Sequence, residues 1–221
     1  MVHYQRSRGE VFWELKTCSS EWHSRRAHSH AEWSAGLVES GECVLGCAGQ
    51  SMPVVAPALV WFSPETVHEC QPLKTSDWAF RMVYWPAPGE PGDWGVRELD
   101  AQGYFLWKTF FDALGQGNPK LAPAWLWEHG FGKLGQEISP QSVSAGPLSG
   151  LRRPDRPYKK FHGLAPTQHR TVLRLRYAQK LLREGVAPAQ AALEAGFYDQ
   201  SQFTRSFRVL TGTTPGKYLQ P

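Results

Sequence analysis

The sequence predicts an α+β protein in which a small N-terminal β-barrel or double-stranded sandwich is followed by an all-α helix-turn-helix region. Three observations carry this. Short aromatic and β-branched segments separated by turn residues fill roughly 1–95, and helical periodicity with stop signals in place fills 185–218. Charge divides the same way: residues 151–221 hold 13 Lys and Arg against 4 Asp and Glu, a net of +9, whereas 1–150 hold 11 against 16, a net of −5. Basic charge concentrated in one third of a chain speeds association with a polyanion and gives salt-dependent affinity, so double-stranded DNA is the expected partner. At 221 residues and 41% hydrophobic, the chain can bury the cores of two small domains.

Strands are expected at Val11-Phe-Trp-Glu-Leu15, Leu37-Val-Glu39, Ala58-Leu-Val-Trp-Phe62 and Trp78 to Trp85, with turns at Glu39-Ser-Gly-Glu42, Gly49-Gln-Ser51 and Ser63-Pro-Glu65. Many short strands at regular spacing suit a closed or doubled sheet. Within them stands His28-Ser-His30, with Glu32 and Trp33 just after and Pro64-x-x-x-His68 further on. On a strand, residues two apart share a face, so His28 and His30 project together and can meet His68 from a neighbouring strand. Three converging imidazoles can hold a divalent ion such as Zn, Fe, Ni or Mn, or can serve as hydrogen-bonding pocket residues without metal. Glu32 shares the parity of the two histidines, Trp13, Trp33, Trp61 and Tyr84 are candidate aromatic walls, and Arg81 is a candidate partner for an anionic ligand. The cysteines, Cys18, Cys43, Cys47 and Cys70, show no CxxC and read as reduced thiols; Cys70 is open to three roles, as a soft ligand, a redox thiol or an inert buried residue.

Between 94 and 120, apolar residues at 99, 106, 110 and 114 fit one or two helices that cover the barrel or form a dimer seam. Residues 115–119 and the Pro/Gly/Ser-rich 139–150 read as loops. Further on, Val172, Leu175, Ala178, Leu181 and Leu182 make one apolar face of a helix of about four turns, with Arg170, Arg174, Lys180 and Arg183 on the wet side. Pro188 opens a short alanine-rich helix that Gly196 ends. Asp199 or Ser201 can cap the next, in which Phe203, Phe207 and Leu210 form the buried stripe. Its other face carries Gln200, Ser201, Gln202, Thr204, Arg205 and Arg208, groups that hydrogen-bond base edges or phosphates from the major groove. Thr211-Gly212 ends that helix, and Thr214-Pro215-Gly216 forms a turn that packs Tyr218 back onto it, leaving Lys217 for phosphate.

The segments A-x-x-A-G-F-Y-D-Q-S-Q-F-T-R-S-F-R (192–208) and G-x-T-P-G-K-Y (212–218) resemble the signature of AraC/XylS-type transcription regulators, and Leu173–Leu182 resembles the helix that joins the two helix-turn-helix units of that family. The family's first unit stands before Gly163, but here Pro154 falls where its leucine is expected and Pro157 interrupts the same turn. Each proline costs roughly 3 kcal/mol inside a helix, so that unit reads as shortened. The H-x-H and distal P-x-x-x-H are similar to the metal-ligand positions of the cupin N-terminal domain of many AraC-type regulators, although the cupin glutamate normally comes later than Glu32.

The resemblance implies a regulator in which a small-molecule effector in a cupin-like domain (1–95), followed by a helical connector (96–138), controls a DNA-binding domain (139–221). No catalytic residue and no required cofactor are expected, and the effector pocket comprises His28, His30, Glu32, Trp33, His68 and Arg81. A homodimer is expected, because one reading unit per protomer needs pairing to gain affinity. Apolar runs far below 18 residues and an N-terminus without a signal core predict a cytoplasmic protein with no membrane partner. Two rival readings are a metal-dependent cupin enzyme with a helical appendage and a nonspecific DNA-binding co-regulator.

Overall fold

Alternation of side chains across β-strands builds the N-terminal half as two antiparallel sheets, each apolar on its inner face. The computed structural model describes residues 2–7, 12–19, 26–47, 49–86, 94–117, 159 and 163–220. Its strands are β1 (Val2–Arg6), β2 (Glu14–Ser19), β3 (Trp33–Ser40), β4 (Glu42–Cys47), β5 (Gln50–Val55), β6 (Ala58–Phe62), β7 (His68–Pro72), β8 (Ala79–Trp85) and β9 (Trp94–Glu98). Six pair in the order β1-β2-β8-β3-β6-β9 and three in the order β5-β4-β7. Between the sheets lies a core of Cys18, Val38, Cys43, Leu45, Val54, Val60, Phe62, Trp78, Phe80, Met82 and Tyr84.

The larger sheet is apolar on both faces. Residues of opposite parity, among them Leu15, Trp33, Leu37, Trp61, Val83 and Trp85, point away from the small sheet and meet Trp107, Phe110, Phe111 and Leu114 of helix α1 (Ala101–Gly115). The helix therefore covers the sheet, with Phe110 and Leu114 buried as their spacing predicted, but Leu106 of the same expected stripe is exposed because Trp107 and Phe111 turn to the sheet instead. It starts later than the apolar spacing suggested, because Trp94–Glu98 is an edge strand paired with β6 and Asp100 caps the helix by accepting from the Gly103 amide. Gly95 lies opposite Trp61, where a Cβ would stand 2.1 Å from the indole ring, so the strand closes over Trp61 only with glycine there.

In the C-terminal region, α2 (Pro166–Arg183) buries Val172, Leu175, Ala178, Leu181 and Leu182, the face read from spacing, though it runs a turn longer than expected. Helices α3 (Pro188–Glu194) and α4 (Gln200–Thr211) follow, with Gly196 and Gly212 in the left-handed region at their ends. Asp199 is the cap of α4, accepting from the Gln202 amide at 2.6 Å. The expected turn at 214–216 instead opens a short helix, α5 (Pro215–Leu219), because the Thr214 hydroxyl accepts from the Lys217 amide and Pro215 suits a first turn. Among the described residues, no helix is long and apolar enough to cross a membrane. The shortened first unit read at 145–162 and the loop at 139–150 lie outside the described residues, apart from Lys159.

The two halves share a core. Tyr4 of β1 sits in the helical cluster with Phe203, Phe207 and Tyr218, its ring 4.9 Å from that of Tyr218 and its hydroxyl donating to the Thr211 carbonyl.

Candidate functional site

The amphipathic pattern of α4 sends Phe203 and Phe207 into the helical core, which leaves Gln200, Ser201, Gln202, Arg205 and Arg208 exposed and Thr204 half-buried. Lys217 of α5 is exposed beside them. This row of amides, hydroxyls and guanidinium groups stands on a helix packed from behind through Phe203 and Phe207, and such groups can hydrogen-bond base edges or phosphates.

The second site lies between the sheets. A cavity of about 60 Å³, room for a few water molecules, is walled mostly by apolar side chains and carries Lys16, His28, His30, His68 and Tyr84 among its lining. His28 and His68 exchange both backbone hydrogen bonds at 2.9 Å as an isolated bridge, which brings their rings to 4.6 Å. The His30 ring lies 5.0 Å from His28 and 5.1 Å from His68. Phe62 stacks on His68 at 3.8 Å and Tyr84 meets His30 edge-on. Nδ1 of His28 faces the Arg26 carbonyl and Nδ1 of His68 the Thr66 carbonyl. A ring nitrogen facing a carbonyl must carry the proton, so Nε2 holds the lone pair in both.

One nitrogen from each imidazole falls within 4.8 Å of the others, so the triad could hold a metal ion. A bound ion with bonds of 2.0–2.1 Å would draw them to about 3.3 Å. Burial pushes His28 down from 6.5 to about 4, and burial together with His28 and His68 pushes His30 well below its usual range. Neutral imidazoles are what ligation and hydrogen-bond acceptance need. Burial also lowers Lys16 to about 8, which leaves it cationic at neutral pH beside the histidines.

A depressed histidine has a definite pH signature. The unfolded chain takes up the proton as pH falls through about 6.5, and the folded chain does so only near 4. Stability is therefore intact above pH 6.5 and declines as pH falls from there, by on the order of 3 kcal/mol for His28 alone near pH 4. Urea midpoints across this range are expected to drop in the parent chain and to drop less steeply in His28→Gln, where the buried His30 still contributes its own loss; parallel slopes would show that His28 does not drive the loss.

The histidine site is wired to the helical domain. The His30 carbonyl accepts from the Glu65 amide at 2.8 Å, and the Glu65 carboxylate takes a two-point ion pair from Arg176 of α2. Glu65 holds φ at 62°, a left-handed conformation that a non-glycine residue adopts only when its surroundings fix it. A second crevice, lined by Glu14, Lys16, His30, Glu32, Tyr84, Arg176 and Arg183 with Leu210 and Thr211 at the end of α4, shares Lys16, His30 and Tyr84 with the cavity.

Two family descriptions match the chain: the AraC-like ligand binding domain over residues 16–89 and a helix-turn-helix domain over 152–221. The chain belongs to the AraC family. It is 23% identical over 220 positions to the HTH-type transcriptional regulator YbfI of Bacillus subtilis (strain 168), covering 79% of each. An apo ToxT variant from Vibrio cholerae strain SCE256 shares its fold with a TM-score of 0.61 at 10% identity, covering 97% of this chain and 98% of that one. Wild-type ToxT of the same strain, solved with an unsaturated fatty acid, gives 0.52 at 11% identity, covering 97% of each.

As an AraC-family member, the chain is a DNA-binding transcription regulator with a ligand-binding domain and not an enzyme. Its structure brings His28, His30 and His68 together as their spacing predicted, with Tyr84 beside them. It does not place the other predicted pocket residues in the cavity. Trp33, like Trp13 and Trp61, packs on the opposite face of the large sheet against α1. Arg81 shares that parity and pairs with Glu39 and Asp112 at 2.6 Å. Glu32 turns to the second crevice, where Arg183 donates to it at 3.0 Å. Lys16 supplies the cation that Arg81 does not. The expected strand stops at Leu15, whereas β2 runs on to Ser19 and so puts Lys16 in phase with Glu14 and Cys18 on the inner face.

Proposed function

We propose that this AraC-family regulator reads a specific operator with α4, and that a compact effector seated against His28, His30, His68 and Lys16 controls that reading. The carrying observation is the connection from the His30 carbonyl through Glu65 to Arg176. An occupant that shifts the histidine bridge also shifts the turn that holds α2, and with it the angle of α4 to DNA. The cavity of about 60 Å³ suits an ion or a small polar molecule rather than an acyl chain of the kind bound to ToxT. A divalent transition metal is the second reading for the occupant, favoured by the three nitrogens within 4.8 Å. In this account two protomers pair to present two copies of α4, and the outer face of α1, where Phe105 and Leu106 are exposed, is the candidate seam.

The test compares two substitutions by fluorescence anisotropy. Arg205→Ala is expected to lose roughly 5- to 150-fold on the operator and little on scrambled DNA, since a base contact is worth about 1–3 kcal/mol. Arg208→Ala is expected to weaken both duplexes alike and to reduce the salt slope by about one. Uniform loss in both variants would favour nonspecific binding and remove the operator reading.

A further inference from the structure

Strands β4 and β7 are hydrogen-bonded neighbours in which Leu45 faces Cys70 and Cys43 faces Pro72, so Cys43 and Cys70 sit diagonally across the ladder. Both side chains line the cavity, with Cys43 buried and Cys70 half-buried. Their sulfurs lie 2.7 Å apart, the Cys70 thiol donating to Cys43 Sγ. That is only about 0.7 Å beyond a covalent S–S bond, and the two sulfurs already point at each other across the ladder. We infer that Cys43 and Cys70 form a reversible intramolecular disulfide in the wall of the effector cavity, made by hydroperoxide and undone by thiols.

The order of steps follows from the contact. In this contact the Cys70 thiol is the donor and Cys43 Sγ the acceptor, and the same hydrogen bond, with burial after it, raises the Cys70 thiol, so Cys43 takes the attacking role and Cys70 resolves. Cys43 Sγ attacks the distal oxygen of the hydroperoxide, its proton passes to the departing oxygen, and the O–O bond breaks. Alcohol leaves, or water where the oxidant is hydrogen peroxide, and Cys43 becomes a sulfenic acid. Cys70 Sγ then attacks that sulfur, the S–O bond breaks, and hydroxide leaves with the Cys70 proton as water. Two thiols and one hydroperoxide give one disulfide, one alcohol and one water, with two electrons passing from sulfur to the peroxide. The bond fixes β7 to β4 two residues from His68, so it constrains the strand that supplies one imidazole of the triad.

The full chain, reduced and then exposed to hydrogen peroxide, is expected to fall from four titratable thiols to two, with no covalent dimer. Peptide mass mapping is expected to link the peptides of Cys43 and Cys70, and dithiothreitol to restore all four thiols. In Cys70→Ser the link is absent and dimedone adds to Cys43. Four thiols surviving peroxide, a link through Cys18 or Cys47, or a bond between chains would each overturn the inference. Because the mapping is done on the parent chain, it holds whether or not the serine variant folds, and its outcome is independent of DNA binding.

Discussion

Replacing Glu14 with alanine is expected to cost about 3–5 kcal/mol and to loosen the helical domain from the barrel. Glu14 is buried on β2, and its Oε2 accepts from Arg6 Nε at 2.8 Å and from the Tyr218 hydroxyl at 2.7 Å. Arg6 in turn donates to the Tyr218 carbonyl and stacks its guanidinium 4.2 Å over the Tyr218 ring. Alanine leaves a nearly buried guanidinium and a buried phenol without their common acceptor. Removing only the hydroxyl, by Tyr218→Phe, leaves the ring and the ion pair and is expected to lose about 1 kcal/mol. Urea denaturation of both single variants and the double variant measures the coupling. A loss below about 1 kcal/mol in Glu14→Ala would mean that water replaces the carboxylate and that the cluster does not hold the domains together.

Phe207→Ala is the second large effect, with an expected loss of about 3–5 kcal/mol. Its ring is fully buried, 5.4 Å from Phe203 and 5.3 Å from Tyr218, both edge-on. Truncation opens a cavity under the reading face of α4 and removes two aromatic contacts. No tryptophan lies beyond residue 127, so tryptophan fluorescence follows the N-terminal half while far-UV circular dichroism follows the helices as well. The helical signal is expected to melt first in this variant. Coincident unchanged transitions would show that α4 does not depend on this packing.

The helical half was more legible in the sequence than the barrel, and the reason is physical. A helix face repeats within one segment, so Val172, Leu175, Ala178, Leu181 and Leu182 declare their burial without knowledge of partners. The caps at Asp199 and Gly212 are equally local. A sheet apolar on both faces hides its parity, which is why Trp33 and Arg81 read as pocket residues when they face α1. Strand β9 went unread because its pairing with β6 is a long-range contact that Gly95 permits only in the presence of Trp61. The histidine triad was legible from the H-x-H spacing. Lys16 and the Glu65–Arg176 bridge were not, since the first needed the strand's true extent and the second joins residues 111 apart in sequence.

Control of transcription by this chain rests on α4 reading a specific DNA sequence. Fluorescence anisotropy of the full chain on DNA from its own upstream region, against a scrambled duplex of equal composition across a salt series, tests it most directly. A preference of about a thousandfold or more at physiological salt is expected. A ratio near one across the series would contradict it, reducing the C-terminal region to a nonspecific polyanion-binding surface.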